Sequence, residues 1–188
     1  SFLKMSGLRK TAFPFDYCVS NLNVIASLIE NDFADFFNFK KCIETNPNYN
    51  ADGQNTIFRN NSYPDLSYPH HNFNNEDIIA KYGKRIKRFQ FVLSSNLNIL
   101  FIHFHQSIKI DIIPFINAMK TKYPNCRYQL ITIELIIDQL SDLRPISSQI
   151  SNHLRYELHT SEPSLGAIQN KKLFDGMLKQ FEFKVVTI

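Results

Sequence analysis

A chain of 188 residues, 44% hydrophobic and 20% charged, is long enough for one core of ordinary size and somewhat long for two independent ones. Its 21 Lys and Arg against 17 Asp and Glu give a formal charge of +4, which permits nucleic-acid binding without implying it and disfavours it as the main role. No run reaches the roughly eighteen apolar residues that cross a bilayer and no signal-peptide pattern opens the chain, so no membrane contact is expected and a cytoplasmic location follows by default.

Phe2, Leu3, Met5 and Leu8 read as the apolar side of a helix ending at Gly7 to Arg9. So abrupt a start leads us to expect a parent chain truncated ahead of Ser1. Ser20 and Asn21 cap a helix through Leu22, Ile25, Leu28 and Ile29 that ends near Asn31. Asp32-Phe33-Ala34-Asp35-Phe36-Phe37 follows as a short amphipathic turn, and Asn46 to Tyr68, rich in Asn, Pro and Ser, reads as a long polar connection. Asn74, Asn75, Glu76 and Asp77 then start a helix carrying Ile79, Tyr82, Ile86, Phe89 and Leu93 at steps of three and four. Its other face bears Lys81, Lys84, Arg85, Lys87 and Arg88. A solvated face explains this stripe better than a ligand does, although Arg85 and Arg88 are candidates for meeting a phosphate or an acidic partner.

Ile99 to His105 is too short for a helix and nearly all apolar, as a strand buried on both faces would be. Ile112 to Lys122 reads as a helix, Tyr128 to Ile137 as a second buried strand, Leu154 to His159 as a third, Lys171 to Gln180 as a helix and Phe183 to Ile188 as a last strand. The expected fold is therefore α/β, a mostly parallel central sheet flanked by helices, in one domain over 1–188.

Ligands of open parallel sheets bind beyond the carboxyl ends of the strands, which singles out His103, His105, Glu134 and His159. His103 and His105, two apart, share a face. Two imidazoles and a carboxylate suit proton transfer or metal binding, but no further ligand is fixed by a motif, and neither metal nor cofactor is expected. Gly-x-Ser-x-Gly, dinucleotide and phosphate-loop patterns are absent. Cys18, Cys42 and Cys126 are widely spaced and read as reduced and structural. The charge of Asp16 opposes formation of a Cys18 thiolate, while the helix starting near Ser20 favours it.

The stretch Gly7-Leu8-Arg9-Lys10-Thr11-Ala12-Phe13-Pro14-Phe15-Asp16-Tyr17, then a helix, then Asp32-Phe33-Ala34-Asp35-Phe36-Phe37, resembles the opening of a domain-of-unknown-function family described as putative papain-like cysteine peptidases. The likeness covers about the first forty residues and continues more loosely through Tyr68-Pro69-His70-His71-Asn72-Phe73, Arg85-Ile86-Lys87-Arg88-Phe89 and the strand at Leu100. Tyr17 stands where the family has Trp, and Asn72 where an acidic residue is common. The resemblance implies a nucleophilic Cys in a Ser-Leu-Gly-x-x-Cys-like segment ahead of Ser1, His70 or His71 as the base, and Asp16 orienting it or shaping the pocket. As given, the chain would then be inactive. Independently, a carboxylate among Phe13, Pro14, Phe15 and Tyr17 calls for a partner, which Arg9 or Lys10 could supply; a salt bridge that merely holds the turn explains Asp16 equally well.

Three readings follow. The first is a cysteine-peptidase-like hydrolase acting on a peptide or small molecule. The second is a non-catalytic α/β module that holds a nucleotide, sugar phosphate or protein through the basic helix and the long loop. The third is a catalytic pocket of His103, His105, Glu134 and His159.

Overall fold

The first local signal is Pro14, which occupies the opening position of a 3₁₀ turn over Pro14–Tyr17, where its missing N–H costs nothing. The computed structural model describes residues 12–43, 56–69, 71, 73–106, 110–140, 142–161, 171–179 and 181. Helix α1, Leu22–Glu30, starts at Asn21, whose side-chain oxygen accepts the Val24 N–H at 2.9 Å. It ends in a Schellman motif: the Asp32 N–H donates to the Ile29 carbonyl at 3.3 Å and the Phe33 N–H to the Leu28 carbonyl at 2.7 Å. Asp32 and Phe33 take φ of 55° and 64° without being glycines. Packing of the Phe33 ring against Phe15, Phe36 and Phe89 offsets that strain.

The polar stretch expected as a loop, Asn46 to Tyr68, contains strands instead. β1 (Phe39–Ile43), β2 (Thr56–Asn60) and β3 (Ser67–Tyr68) form an antiparallel sheet in that order; β2 and β3 lie within that stretch and β1 just ahead of it. Asn60 shows why the composition misled. It is buried, and its amide donates to the carbonyls of Asp35 and Phe36 while its oxygen accepts from the Ser62 and Tyr63 N–H groups. An Asn that reads as a loop former here closes a buried corner. Helix α2, Glu76–Leu93, opens where expected, with Asn75 accepting the Asp77 N–H, and buries Tyr82, Ile86, Phe89, Val92 and Leu93. Helix α3, Ile113–Lys122, packs along α1, and Lys122 pairs with Asp32 at 2.7 Å. Phe13–Leu97 and Asp111–Cys126 together make one compact unit.

The other unit takes Asn98–Ile110 and the chain from Arg127 onward. Its sheet has the order β4 (Asn98–His105), β5 (Arg127–Ile137), β7 (His153–Thr160), β6 (Asp142–Ile146). β4, β5 and β7 are parallel, as expected; β6 was not anticipated and pairs antiparallel with β7 at the edge, where its Pro145 is tolerated. β4 is the opposite edge and only partly buried, rather than buried on both faces. Helix α4, Lys171–Leu178, sets Phe174, Met177 and Leu178 against Ile131, Ile133, Leu135, Tyr156 and Leu158. The helix expected over residues 2–8 and the strand over 183–188 lie outside the described residues. Among the described residues no helix is long and apolar enough to cross a membrane.

Candidate functional sites

Two groups of ionisable side chains stand out, one in each unit. The first is built on the 3₁₀ turn. The Asp16 carboxylate accepts the Phe13 N–H, which fixes the turn, and Phe13 and Phe15 lay their rings on Phe89. Val19 then exchanges both backbone hydrogen bonds with Ser67, at 2.9 and 3.0 Å, and so anchors the end of the turn beside β3. Cys18, between these anchors, donates to the Phe15 carbonyl. Burial first, and the Asp16 charge second, push its thiol up to about 12. Cys18 is thus a neutral thiol at neutral pH and unsuited to nucleophilic attack.

Tyr68 and Tyr82, both fully buried, face Cys18. Burial raises the ionisation of both phenols well above the ordinary range, so each is a neutral hydrogen-bonding group. The Tyr82 hydroxyl lies 3.1 Å from His71 Nδ1, and the two rings meet edge to face at 5.3 Å. Arg85, one turn along α2, places its guanidinium 4.6 Å over the Tyr82 ring and hydrogen-bonds the hydroxyl. Asp16 is close enough to Tyr82 for its charge to be felt there. The turn and the segment after β3 thus bring Asp16, Cys18 and His71 around one buried phenol. Arg88 is half-buried on α2, whereas Lys81, Lys84 and Lys87 are exposed, as a solvated face would be. Arg9, Lys10, His70 and Asn72 lie outside the described residues.

The second group follows from strand alternation. Register aligns His103 with Thr132 and Arg155, and His105 with Glu134, Glu157 and Arg144. These residues share the face opposite α4, so one side of the sheet is apolar and the other ionisable. His103 and His105 stack with ring centroids 6.3 Å apart. Burial, then the neighbouring His105, lowers His103 to about 4. His153 is likewise lowered to about 4, by burial, Arg155 and His105 in that order. Its two ring nitrogens lie 2.8 Å from the Thr132 hydroxyl and 3.0 Å from the Ser148 hydroxyl. At the carboxyl end, His159 Nδ1 meets Asp138 at 2.6 Å and Nε2 meets Glu157 at 3.4 Å. The Asp138 hydrogen bond is the main reason His159 titrates above its ordinary value. Arg144 pairs with Asp142 at 2.8 Å.

His103, His105, Glu134 and His159 therefore lie on one face, but among the described residues no group of three or more His, Cys, Asp and Glu side chains could hold a metal ion. Sequence reasoning missed Tyr82 and the partners Asp138, Glu157, His153 and Thr132. The signal for the strand partners was present: His153, Arg155, Glu157 and His159 put an ionisable residue at every second position.

A model of the family described as putative papain-like cysteine peptidase (DUF1796) matches residues 1–126. No curated protein and no solved structure matches the chain.

Proposed function

The chain belongs to the putative papain-like cysteine peptidase family, and we propose that the first unit carries the acid–base half of a cysteine-dependent acyl-transfer site. The observation that carries this reading is the meeting of Asp16 and His71 at the buried Tyr82, within the stretch that the family model covers. His71 is the base. In this reading Nδ1–H donates to the Tyr82 oxygen, which fixes the ring in the tautomer whose Nε2 accepts the proton of a thiol. The nucleophile is not Cys18, whose proton is held too tightly. It is a cysteine in the segment ahead of Ser1, as the resemblance implies. In the reaction the thiolate adds to a peptide or ester carbonyl, and the imidazolium returns its proton to the leaving amine or alcohol. Water then attacks the thioester, giving its proton to the imidazole, and the acid and the thiol are released. Asp16 shapes the turn and adds negative charge beside Tyr82.

The test is alkylation by iodoacetamide, as a function of pH, of the protein extended upstream of Ser1. A thiol reacting fully below pH 7, in a profile displaced by His71→Ala and indifferent to Cys18→Ala, is expected. Ordinary reactivity near the free-cysteine value at every thiol would overturn the reading.

A further inference from the structure

The ladder between β2 and β3 has two faces. Phe58 and Tyr68 are paired across it and buried, and the Tyr68 ring meets Tyr82 at 5.8 Å. Arg59 and Ser67, the next pair, take the opposite face, and the bridge from Ser67 to Val19 extends that row by one residue. The row lines a cavity of about 400 Å³. Pro64 and Asp65 of the β2–β3 turn border it, as do Ser20 and Asn21 at the start of α1. Small-molecule sites occupy roughly 300–1,000 Å³, so the space is large enough for a ligand.

The lining narrows what that ligand is. Ile57, Pro64 and Pro69 give apolar walls, and Val19, 55% exposed, leaves further apolar surface open to an occupant. Among the described residues Arg59 is the one cation of the lining and Asp65 the one anion. Asp65 is exposed and accepts the Asn21 amide at 2.9 Å, whereas Arg59 is half-buried. Arg59 is engaged within the protein, but a guanidinium carries five N–H donors, and one contact does not exhaust them. A single planar cation suits a singly charged carboxylate. A phosphate dianion would meet the Asp65 charge with only one guanidinium to offset it. The Ser20 hydroxyl donates to the Asn21 carbonyl at 3.3 Å and has lone pairs with which to accept an amide N–H.

We infer that this cavity binds the carboxylate of an N-acylated apolar amino acid, the chemistry of a peptide's C-terminal end. Its carboxylate lies on Arg59, its side chain on Val19 and Ile57, and its amide N–H on Ser20. The cavity and the buried Tyr82 lie on opposite faces of β3, so the site does not depend on the acyl-transfer reading.

The experiment titrates the full chain with N-acetyl-L-leucine and follows backbone amide shifts at Ser20, Arg59 and Ser67. N-acetyl-L-leucinamide, with the same body and no charge, and sodium hexanoate, with charge and apolar tail but no amide, serve as comparisons. Saturable shifts are expected, with N-acetyl-L-leucine the tightest of the three. Arg59→Met, which keeps the length of the side chain and removes its charge, weakens binding about ten- to a hundredfold, the loss of one charge-assisted contact. Should that variant fail to fold, Val19→Asp, at an exposed position, sets a second negative charge against the ligand and also weakens binding. An equal response to the leucinamide or to hexanoate, an unsaturable response, or wild-type affinity in either folded variant overturns the proposal.

Discussion

His103 makes the sharpest quantitative demand on the structure. Burial and the adjacent His105 hold it near 4, against an ordinary value of 6.5. A group whose folded pKa lies below its unfolded value binds more protons in the unfolded chain between those two values. Stability therefore rises with pH across that window, is level above 6.5, and falls away as the solution is acidified toward 4. At about 1.4 kcal/mol per unit, the loss between pH 7 and pH 4 comes to about 3 kcal/mol. That is a large share of the roughly 5–15 kcal/mol that holds a domain together. The perturbation is His103→Asn, which removes the titrating ring. Urea unfolding followed by circular dichroism over this pH range, with the His103 Cε1 proton shift as a site-specific monitor, reads the effect. The variant should lose about 3 kcal/mol less than the parent on acidification, whatever its stability at pH 7. Parallel pH profiles, or a His103 ring titrating near its ordinary value, would refute the reasoning. The lowered His153 pushes in the same direction, so the variant should still retain some acid sensitivity.

Three further outcomes follow from single contacts. Tyr82→Phe removes a fully buried hydroxyl bonded to His71 and should cost about 1–3 kcal/mol in thermal unfolding, because the imidazole nitrogen loses its partner; the same change should displace the pH profile of thiol alkylation in the upstream-extended chain. Asp32→Gly relieves a left-handed residue at the end of α1 at the expense of an exposed ion pair with Lys122, and should raise stability by up to about 1 kcal/mol in urea titration. His159, raised by Asp138, contributes stability that is complete below 6.5 and is lost as pH rises through its folded value. Protection factors for amide exchange at Asp138 to Leu140, taken relative to the intrinsic base-catalysed rate, should fall across that rise in the parent, and unchanged protection there would count against the clamp.

The sequence was legible where one period dominated. Asn21 and Asn75 cap the helices they were expected to cap, and the apolar runs from Ile99 and Tyr128 do pair in parallel. It was misread where a polar residue earns its place through tertiary contacts. Asn60 and its neighbours look like loop material, yet the backbone carbonyls of Asp35 and Phe36 and the N–H groups of Ser62 and Tyr63 satisfy the Asn60 side chain and let β2 form. Tyr82 was read as a core residue of α2, which it is; what no spacing announced is that its hydroxyl points at His71, eleven residues earlier, and that Arg85 of the basic stripe turns back onto its ring.

The same logic explains the second sheet. Reading β5 as one apolar run hid the fact that Thr132 and Glu134 alternate with Ile131, Ile133 and Leu135, so only one face belongs to the core under α4. On the other face the fold assembles Glu134 with residues from β4 and β7 that are more than twenty positions away on either side. A strand end is visible in a sequence. Which side chains it meets on the neighbouring strands depends on register, and register is a property of the folded ladder rather than of any one strand.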